Sequence, residues 1–527
     1  MLARRTIGLA RDNAQNVGLE RTYDSLLKGS TGRRLVRFIA GGAPVPVEGY
    51  EIDPENGKDV ITTLDIRIQD IVESSLMKML AQSQAEYGTC IVMETKTGKI
   101  KAIANLGQDK NGNYGETLNY ALRTTEPGST IKLATLLAVL DHGSSTINDL
   151  VEVGSTGSAY VGVRTVTDAE REPKPVLTVR ECFAHSSNIG MSMVAYKAFS
   201  GEPDLFRNYL QKFHLDKRTG IDLVGEDAPV LPRLKRNKEG LHAMVTASFG
   251  YALQVSPLHT LMLYNAIANN GKMMKPYLVN SIKNNGVTVK EFQPSMIDDH
   301  LCKPQVIRDA KLCMEAVTSI GTAKDVFKDV PFQVAGKTGT AHVADGDMQY
   351  NDGVYQASFV GYFPANQPEY TCIVVIKTKP HAAIHFGGQL AAPVFKEIAT
   401  KLFAQYVQGR KLPPVQLVPD SSSYIYAGYT KDVKDILKEL KVRHTDSVGT
   451  NGWSQVYDNN YRPVVRSVQL AKNIMPDVRR MTLKDALYLL ENRNIKVTVK
   501  GKGKVVAQDV MPGTEITKNQ NVTILLN

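Results

Sequence analysis

The sequence predicts an α+β protein with two folded parts, a large body over residues 61–410 and a small module over 472–527. Apolar alternation marks strand pairs near both ends of the body, at 90–106 and 357–378, with helical patterns between them. One sheet built from the two termini of that body follows, with helices packed around it. Two breaks flank the body, a Gly/Pro-rich run at 40–59 and a Pro/Ser-rich run at 411–423. The chain of 527 residues accommodates two to four domains.

Taken in order, residues 1–60 form a short N-terminal piece ending in that Gly/Pro-rich crossing. Residues 62–82 place Ile66, Ile68, Ile71, Leu76, Met79 and Leu80 close to helical spacing. The run 90–106 reads as two strands joined by a Thr-Gly turn, and 392–407 as the closing helix of the body. Residues 411–471 read as a linker region that carries one short amphipathic helix, with Val433, Ile436, Leu437 and Leu440 on its apolar face. In the last 56 residues Thr482 and Asp485 open a helix whose apolar face is Leu483, Ala486, Leu487 and Leu490, and three alternating strands accompany it.

Composition narrows the function. With 43% hydrophobic and 22% charged residues, the chain is neither disordered nor collagenous nor a disulfide miniature. The longest apolar run, 133–140, is well short of the ~18 residues a membrane span needs. The N-terminus lacks the apolar core of a signal peptide. Of the net charge of +10, the first 50 residues carry +4 and the last 56 carry +5, so the middle is nearly neutral. Such basic ends suit an anionic surface, but no nucleic-acid-binding motif accompanies them, and solvated lysines account for them. Cys90, Cys182, Cys302, Cys313 and Cys372 are odd in number and have no CxxC spacing, which leaves buried free thiols and no metal knuckle.

Three short motifs carry chemistry. Ser129 and Lys132 lie three apart where Pro127 and Gly128 open an apolar helix, so hydroxyl and amine share one face. Lys132 is placed to accept the Ser129 proton during attack on a carbonyl, and burial on that helix lowers its proton affinity. Ser186 and Asn188 follow 54 residues after the lysine and supply a proton relay and an amide for substrate. Lys337, Thr338, Gly339 and Thr340 form a strand edge for an extended substrate. There Gly339 leaves room for the substrate backbone, and Lys337 stays charged to bind a carboxylate. The N–H groups of Ser129 and Thr340 suit an oxyanion hole. Order and spacing together make the three motifs one joint signal.

With these motifs the chain resembles the transpeptidase domain of class B penicillin-binding proteins. TLDIRIQDIVE, TGIDLVGE, SIGTAKD and FVGYFPANQPEYTCIVVI are similar to family landmarks in the family's order, and residues 17–32 resemble the end of its N-terminal pedestal. The last 55 residues resemble a PASTA module. The resemblance implies an antiparallel sheet flanked by helices, plus an all-helical part. It also implies a serine acyl-enzyme that cross-links peptidoglycan stem peptides and is blocked covalently by β-lactams, with no cofactor and no metal. The PASTA tail points to the division-specific FtsI type, hence to a septal glycosyltransferase and division proteins as partners. It implies too that the chain lies outside the cytoplasmic membrane, on an anchor that precedes Met1.

A β-lactamase-like hydrolase or D,D-carboxypeptidase would share the fold, but no E-x-x-L-N string lies between the second and third motifs. A non-catalytic wall-binding scaffold has no need of three intact motifs. His381 and His385 are spaced for one helix face, yet Pro380, Gly387 and Gly388 make that stretch a loop, which argues against a metal pair. His185 beside Ser186 reads as a packing residue.

Overall fold

The computed structural model describes residues 2–11, 14–172, 174–343, 352–408, 427–440, 442, 444–446, 448–449, 451–459, 462–468 and 471–527. The chain divides into two compact units, Met1–Lys411 and Leu412–Asn527. The Pro/Ser-rich run 411–423 lies outside the described residues.

In the first unit, helix α1 (Ile66–Ser83) starts where the Asp65 carboxylate accepts from the N–H groups of Arg67 and Ile68. Its buried stripe is Ile68, Val72, Leu76 and Leu80 at strict i, i+4 spacing, while Ile66 is left exposed. Strands β1 (Tyr87–Glu94), β2 (Ile100–Gln108) and the short β3 (Tyr114–Gly115) follow. The 3₁₀ turn Gly128–Ile131 leads into α2 (Lys132–His142), α3 (Val179–Ala184) and α4 (Asn188–Phe199). Then come α5 (Pro257–Ala268), α6 (Pro304–Ser319), β4 (Ala335–His342), β5 (Tyr355–Phe363), β6 (Tyr370–Lys377) and α7 (Gly387–Leu402).

The six strands form one antiparallel sheet in the order β4-β5-β6-β1-β2-β3, so both ends of the body meet at its centre, where β6 pairs with β1. Helices α1 and α7 pack on this sheet and on each other, and α5 packs against β5 and β6. The central strands are accordingly buried along nearly their whole length, and every residue of β6 is buried. α2 runs through this core, with each residue from Lys132 to Asp141 buried, and Gly143 ends it at φ 82°. β4 is the edge strand, and the turn carrying Ser129 packs against it.

In the second unit the C-terminal module has helix and strands where the spacing predicts them. The Thr482 hydroxyl accepts from the Asp485 N–H, and Ala486, Leu489 and Leu490 are buried, with Leu489 in place of the expected Leu487. Its strands Lys496–Gly501, Asn521–Leu526 and Val505–Gln508 lie in that order, the first pair parallel and the second antiparallel.

The region read as a linker is more than that in its described part. Ala427–Tyr429, Trp453–Asn459, Arg462–Val468 and Thr445–Asp446 form a four-stranded sheet beside the helix Thr430–Glu439. The last strand pairs parallel with Arg462–Val468, whose other neighbour, Trp453–Asn459, is antiparallel. That is the connectivity of the C-terminal module, a helix followed by a parallel edge strand and a hairpin, so the fold repeats within the unit. Among the described residues Val433, Leu437, Val456 and Val465 form its buried core, while Ile436 and Leu440 are exposed. Val433 and Leu437 lie on the helix, and among the described residues each of the two paired strands Trp453–Asn459 and Arg462–Val468 adds one of these valines. Ala427 is buried in the same cluster as Met475, Leu490 and Ile524 of the C-terminal module, and Trp453 packs against it.

Candidate active site

A cavity of about 450 Å³ opens where the first turn of α2, the loop before α4 and the β4 edge converge, and Ser129, Ser186, Asn188, Thr338 and Thr340 all line it. Gly128, at φ 57°, stands so close to β4 that a Cβ there would come 2.8 Å from that of Ala341. This approach holds Ser129, half-buried, against the strand that carries Thr338 and Thr340.

Lys132 is completely buried. Its Nζ donates to the Ser186 carbonyl at 2.5 Å, the Asn188 Oδ1 at 2.7 Å and the Ser186 hydroxyl at 3.2 Å. Three acceptors match the three hydrogens of an ammonium, and no hydrogen bond joins Nζ to the Ser129 hydroxyl in this arrangement. Burial lowers the lysine from 10.5 to about 7, against the opposing pull of Asp168 and Glu172. Near neutral pH a large share is therefore the free amine, which has a lone pair to offer.

Ser186 sits in the left-handed region at φ 62°, an uncommon conformation for a non-glycine residue at a point where function converges. Its neighbours are clamped by Asp168, which follows the hairpin Ser158–Val161/Arg164–Thr167. One oxygen of Asp168 accepts from the N–H groups of Asn188 (2.5 Å) and Ile189 (3.0 Å), and the other accepts from the Ser187 hydroxyl at 2.8 Å. The Asn188 side-chain amide donates to the Thr167 carbonyl at 2.9 Å. Sequence reasoning missed Asp168. The helix cap at Ser187 is legible, but no periodicity points to a carboxylate about twenty residues earlier. Glu172 also lines the cavity, with its carboxyl raised from 4.5 to about 7 by burial and by Asp168 and Glu170. His185, expected to pack, faces the cavity, with Nδ1 3.9 Å from Glu172 and its proton affinity lowered by burial.

The third motif differs from expectation in two ways. Lys337 is wholly buried and lies outside the cavity lining, so it does not face substrate from the strand edge. Its Nζ donates to the Thr338 carbonyl at 3.1 Å and stands 5.7 Å above the Phe183 ring. Burial, then the charge of Lys132, hold its pKa well below 10.5. Gly339 leaves room for the protein rather than for substrate. A Cβ there would meet Ser358 Oγ at 2.3 Å and Thr130 Cγ2 at 2.9 Å. Thr338 and Thr340 do line the cavity, with their hydroxyls bonded to Thr322 Oγ1 (2.6 Å) and the Gly387 N–H (3.1 Å).

All five cysteines are free and buried. Among the described residues no cluster of His, Cys, Asp or Glu is placed to hold a metal, and His385 stacks on Tyr355 at 4.1 Å. Among the described residues no helix is long and apolar enough to cross a membrane.

A hydroxyl lining a cavity beside a strand edge, with a buried, part-neutral lysine bonded to the lining residues Ser186 and Asn188, forms an arrangement suited to acyl transfer through a serine. The chain belongs to the penicillin-binding protein transpeptidase domain family, whose model matches residues 88–400, and residues 473–527 match the PASTA domain. It is similar to the peptidoglycan D,D-transpeptidase FtsI of Buchnera aphidicola, 28% identical over 404 residues, covering 75% of this chain and 67% of that protein. Stage V sporulation protein D of Bacillus subtilis is 27% identical over 531 residues, covering 98% and 72%. Among solved structures, penicillin-binding protein 3 of Mycobacterium tuberculosis in complex with aztreonam superposes with a TM-score of 0.64 at 27% identity, over 78% of this chain and 89% of that one. Penicillin-binding protein 2X of Streptococcus thermophilus, at 21% identity and TM-score 0.63, shares the fold over 100% of this chain and 82% of its own.

Proposed function

We propose that this chain is a serine-type peptidoglycan D,D-transpeptidase, acting on stem peptides during septal wall synthesis and acylated by β-lactams. The observation that carries the reading is Lys132: buried, lowered to about 7, and hydrogen-bonded to both Ser186 and Asn188 in the cavity that Ser129 lines.

As the free amine, Lys132 keeps two N–H bonds to its partners and turns its lone pair to the Ser129 hydroxyl. Ser129 Oγ forms a bond to the penultimate D-Ala carbonyl carbon while Lys132 takes the proton. The developing oxyanion is met by the backbone N–H groups of Ser129 and Thr340. Collapse breaks the peptide C–N bond, and the proton returns through the Ser186 hydroxyl, 3.2 Å from Nζ, to the departing amine of D-Ala. The amine of a second stem then attacks the ester and regenerates Ser129. Asn188 and the β4 edge hold the donor peptide, with Thr338 and Thr340 facing it across the cavity. Asp168 acts through the loop it clamps.

The body 61–410 carries this chemistry, residues 1–60 belong to the pedestal, and 472–527 form a positioning module. The FtsI name of the relatives supports the septal role, and a membrane anchor, a septal glycosyltransferase and division proteins belong to the same proposal. Intact mass after penicillin treatment tests it: the parent protein gains one drug mass and Ser129→Ala gains none. A drug adduct on the folded alanine variant overturns the assignment.

A further inference from the structure

A second cavity, about 470 Å³ and separate from the one at Ser129, lies behind the second and third motifs. Its walls are Arg180 on α3, Glu315 and Thr318 at the end of α6, and the run Val330–Val334 that enters β4. Inside it a cation and an anion stand apart. The Arg180 Nε is buried and has no acceptor among the described residues. No carboxylate among them closes to ion-pair distance on its guanidinium. Glu315 is half-buried, its carboxyl raised by burial and drawn down in part by Arg180. Nearby, the Tyr362 hydroxyl is wholly buried and unpartnered, and the charge of Glu315 reaches it. Phe327, Val330 and Phe332 supply an apolar wall.

Buried polar groups are ordinarily satisfied, and a guanidinium without an ion-pair partner matches a carboxylate in two-point geometry. A carboxylate ligand alone would meet Glu315 as a like charge. A ligand that brings an ammonium with its carboxylate meets both residues, and the apolar wall takes a side chain. We infer that this cavity binds the zwitterionic end of an α-amino acid or short peptide, with carboxylate on Arg180, ammonium by Glu315 and an apolar side chain against Phe332. The volume suits a ligand of that size.

Its place in the fold gives the site a consequence. α3 runs directly into Ser186 and Asn188, and the Thr318 hydroxyl ties the end of α6 to the Val334 carbonyl at 2.6 Å, one residue before β4. A ligand bridging Arg180 and Glu315 braces the two elements that carry these motifs, so occupancy changes the acylation rate.

Leucine of either hand is the probe, titrated by calorimetry into the full chain with Ser129 acylated by a β-lactam, and again into Ser129→Ala, which needs no acylation. Saturable binding is expected in both. N-acetylleucine and leucinamide, each lacking one charge, are expected to lose about tenfold or more, as are Arg180→Gln and Glu315→Gln. D-alanyl-D-alanine, titrated into the acylated protein whose Ser129 cavity the drug fills, separates the sources: tighter binding than leucine assigns the site to a peptide end, weaker binding to a free amino acid. No saturable binding in either protein overturns the site, as does undiminished binding by N-acetylleucine or by folded Glu315→Gln. Saturating leucine is expected to shift the parent acylation rate at least about twofold and to leave that of Glu315→Gln unmoved. An unshifted parent rate overturns the coupling. Failure of acylation alone would count against the transpeptidase reading and leave the Ser129→Ala titration intact.

Discussion

The pH dependence of acylation is the sharpest consequence of the buried lysine. Lys132 falls from 10.5 to about 7, so at pH 7 roughly half of the molecules hold the free amine, against about one in 3,000 for a lysine left at 10.5. That displacement corresponds to about 5 kcal/mol between the two protonation states. Between pH 7 and 10.5 the unfolded chain binds the proton that the folded chain has released. This contribution to stability is therefore lacking below about 7 and grows as pH rises to 10.5. In stopped-flow measurements with a chromogenic cephalosporin, the acylation rate should climb through a midpoint near 7 and level off above it. Glu172, which lines the cavity, also titrates at about 7 and interacts with Lys132. Glu172→Gln is the control: it should move the limb to slightly lower pH, because it removes a charge that favours the ammonium, and it should not abolish the limb. Lys132→Arg keeps a charge that cannot be shed at any accessible pH, and should slow acylation by about a thousandfold or more with circular dichroism unchanged. A flat profile from pH 5.5 to 8.5, or a folded Lys132→Arg enzyme at near the parent rate, would refute the role of Lys132 as base.

Three further outcomes are expected. Asp168→Asn removes a charge that holds the lysine proton and one acceptor of the loop clamp, so its acid limb should move to lower pH while the plateau rate drops ~10-fold; a lower plateau with an unmoved limb would count against the electrostatic part. Gly339→Ala drives a Cβ onto Ser358 and Thr130, and urea denaturation should show a loss of about 1–3 kcal/mol; an unshifted midpoint would mean that the strand can yield. A protein ending at Lys411 keeps the whole first unit and should be acylated within a few-fold of the full chain; lost acylation with intact fold would mean that the tail shapes the site.

Residues close in sequence, or repeated along it, were the readable ones. The spacing of Ser129 and Lys132 is local geometry at the start of one apolar helix, and the stripe Ile68, Val72, Leu76 and Leu80 is a period on one helix. The strand pairs at the two ends of the body and the helix and strands of the last 56 residues are likewise patterns within single segments. Tertiary structure decided what depends on distant segments meeting. Lys337 is wholly buried, with its Nζ 5.7 Å above the ring of Phe183 on the distant helix α3. Gly339 is needed because Thr130 stands on the other side of the strand. Asp168 enters the site only through a hairpin that folds back on the start of α4. Between residues 427 and 468 the helical spacing of Val433 and Leu437 is a pattern within one segment, whereas the sheet beside it depends on separate strands pairing. Periodicity records which face of an element is buried, but not what buries it. The burial that moves the proton affinity of Lys132 comes from side chains far away in the sequence.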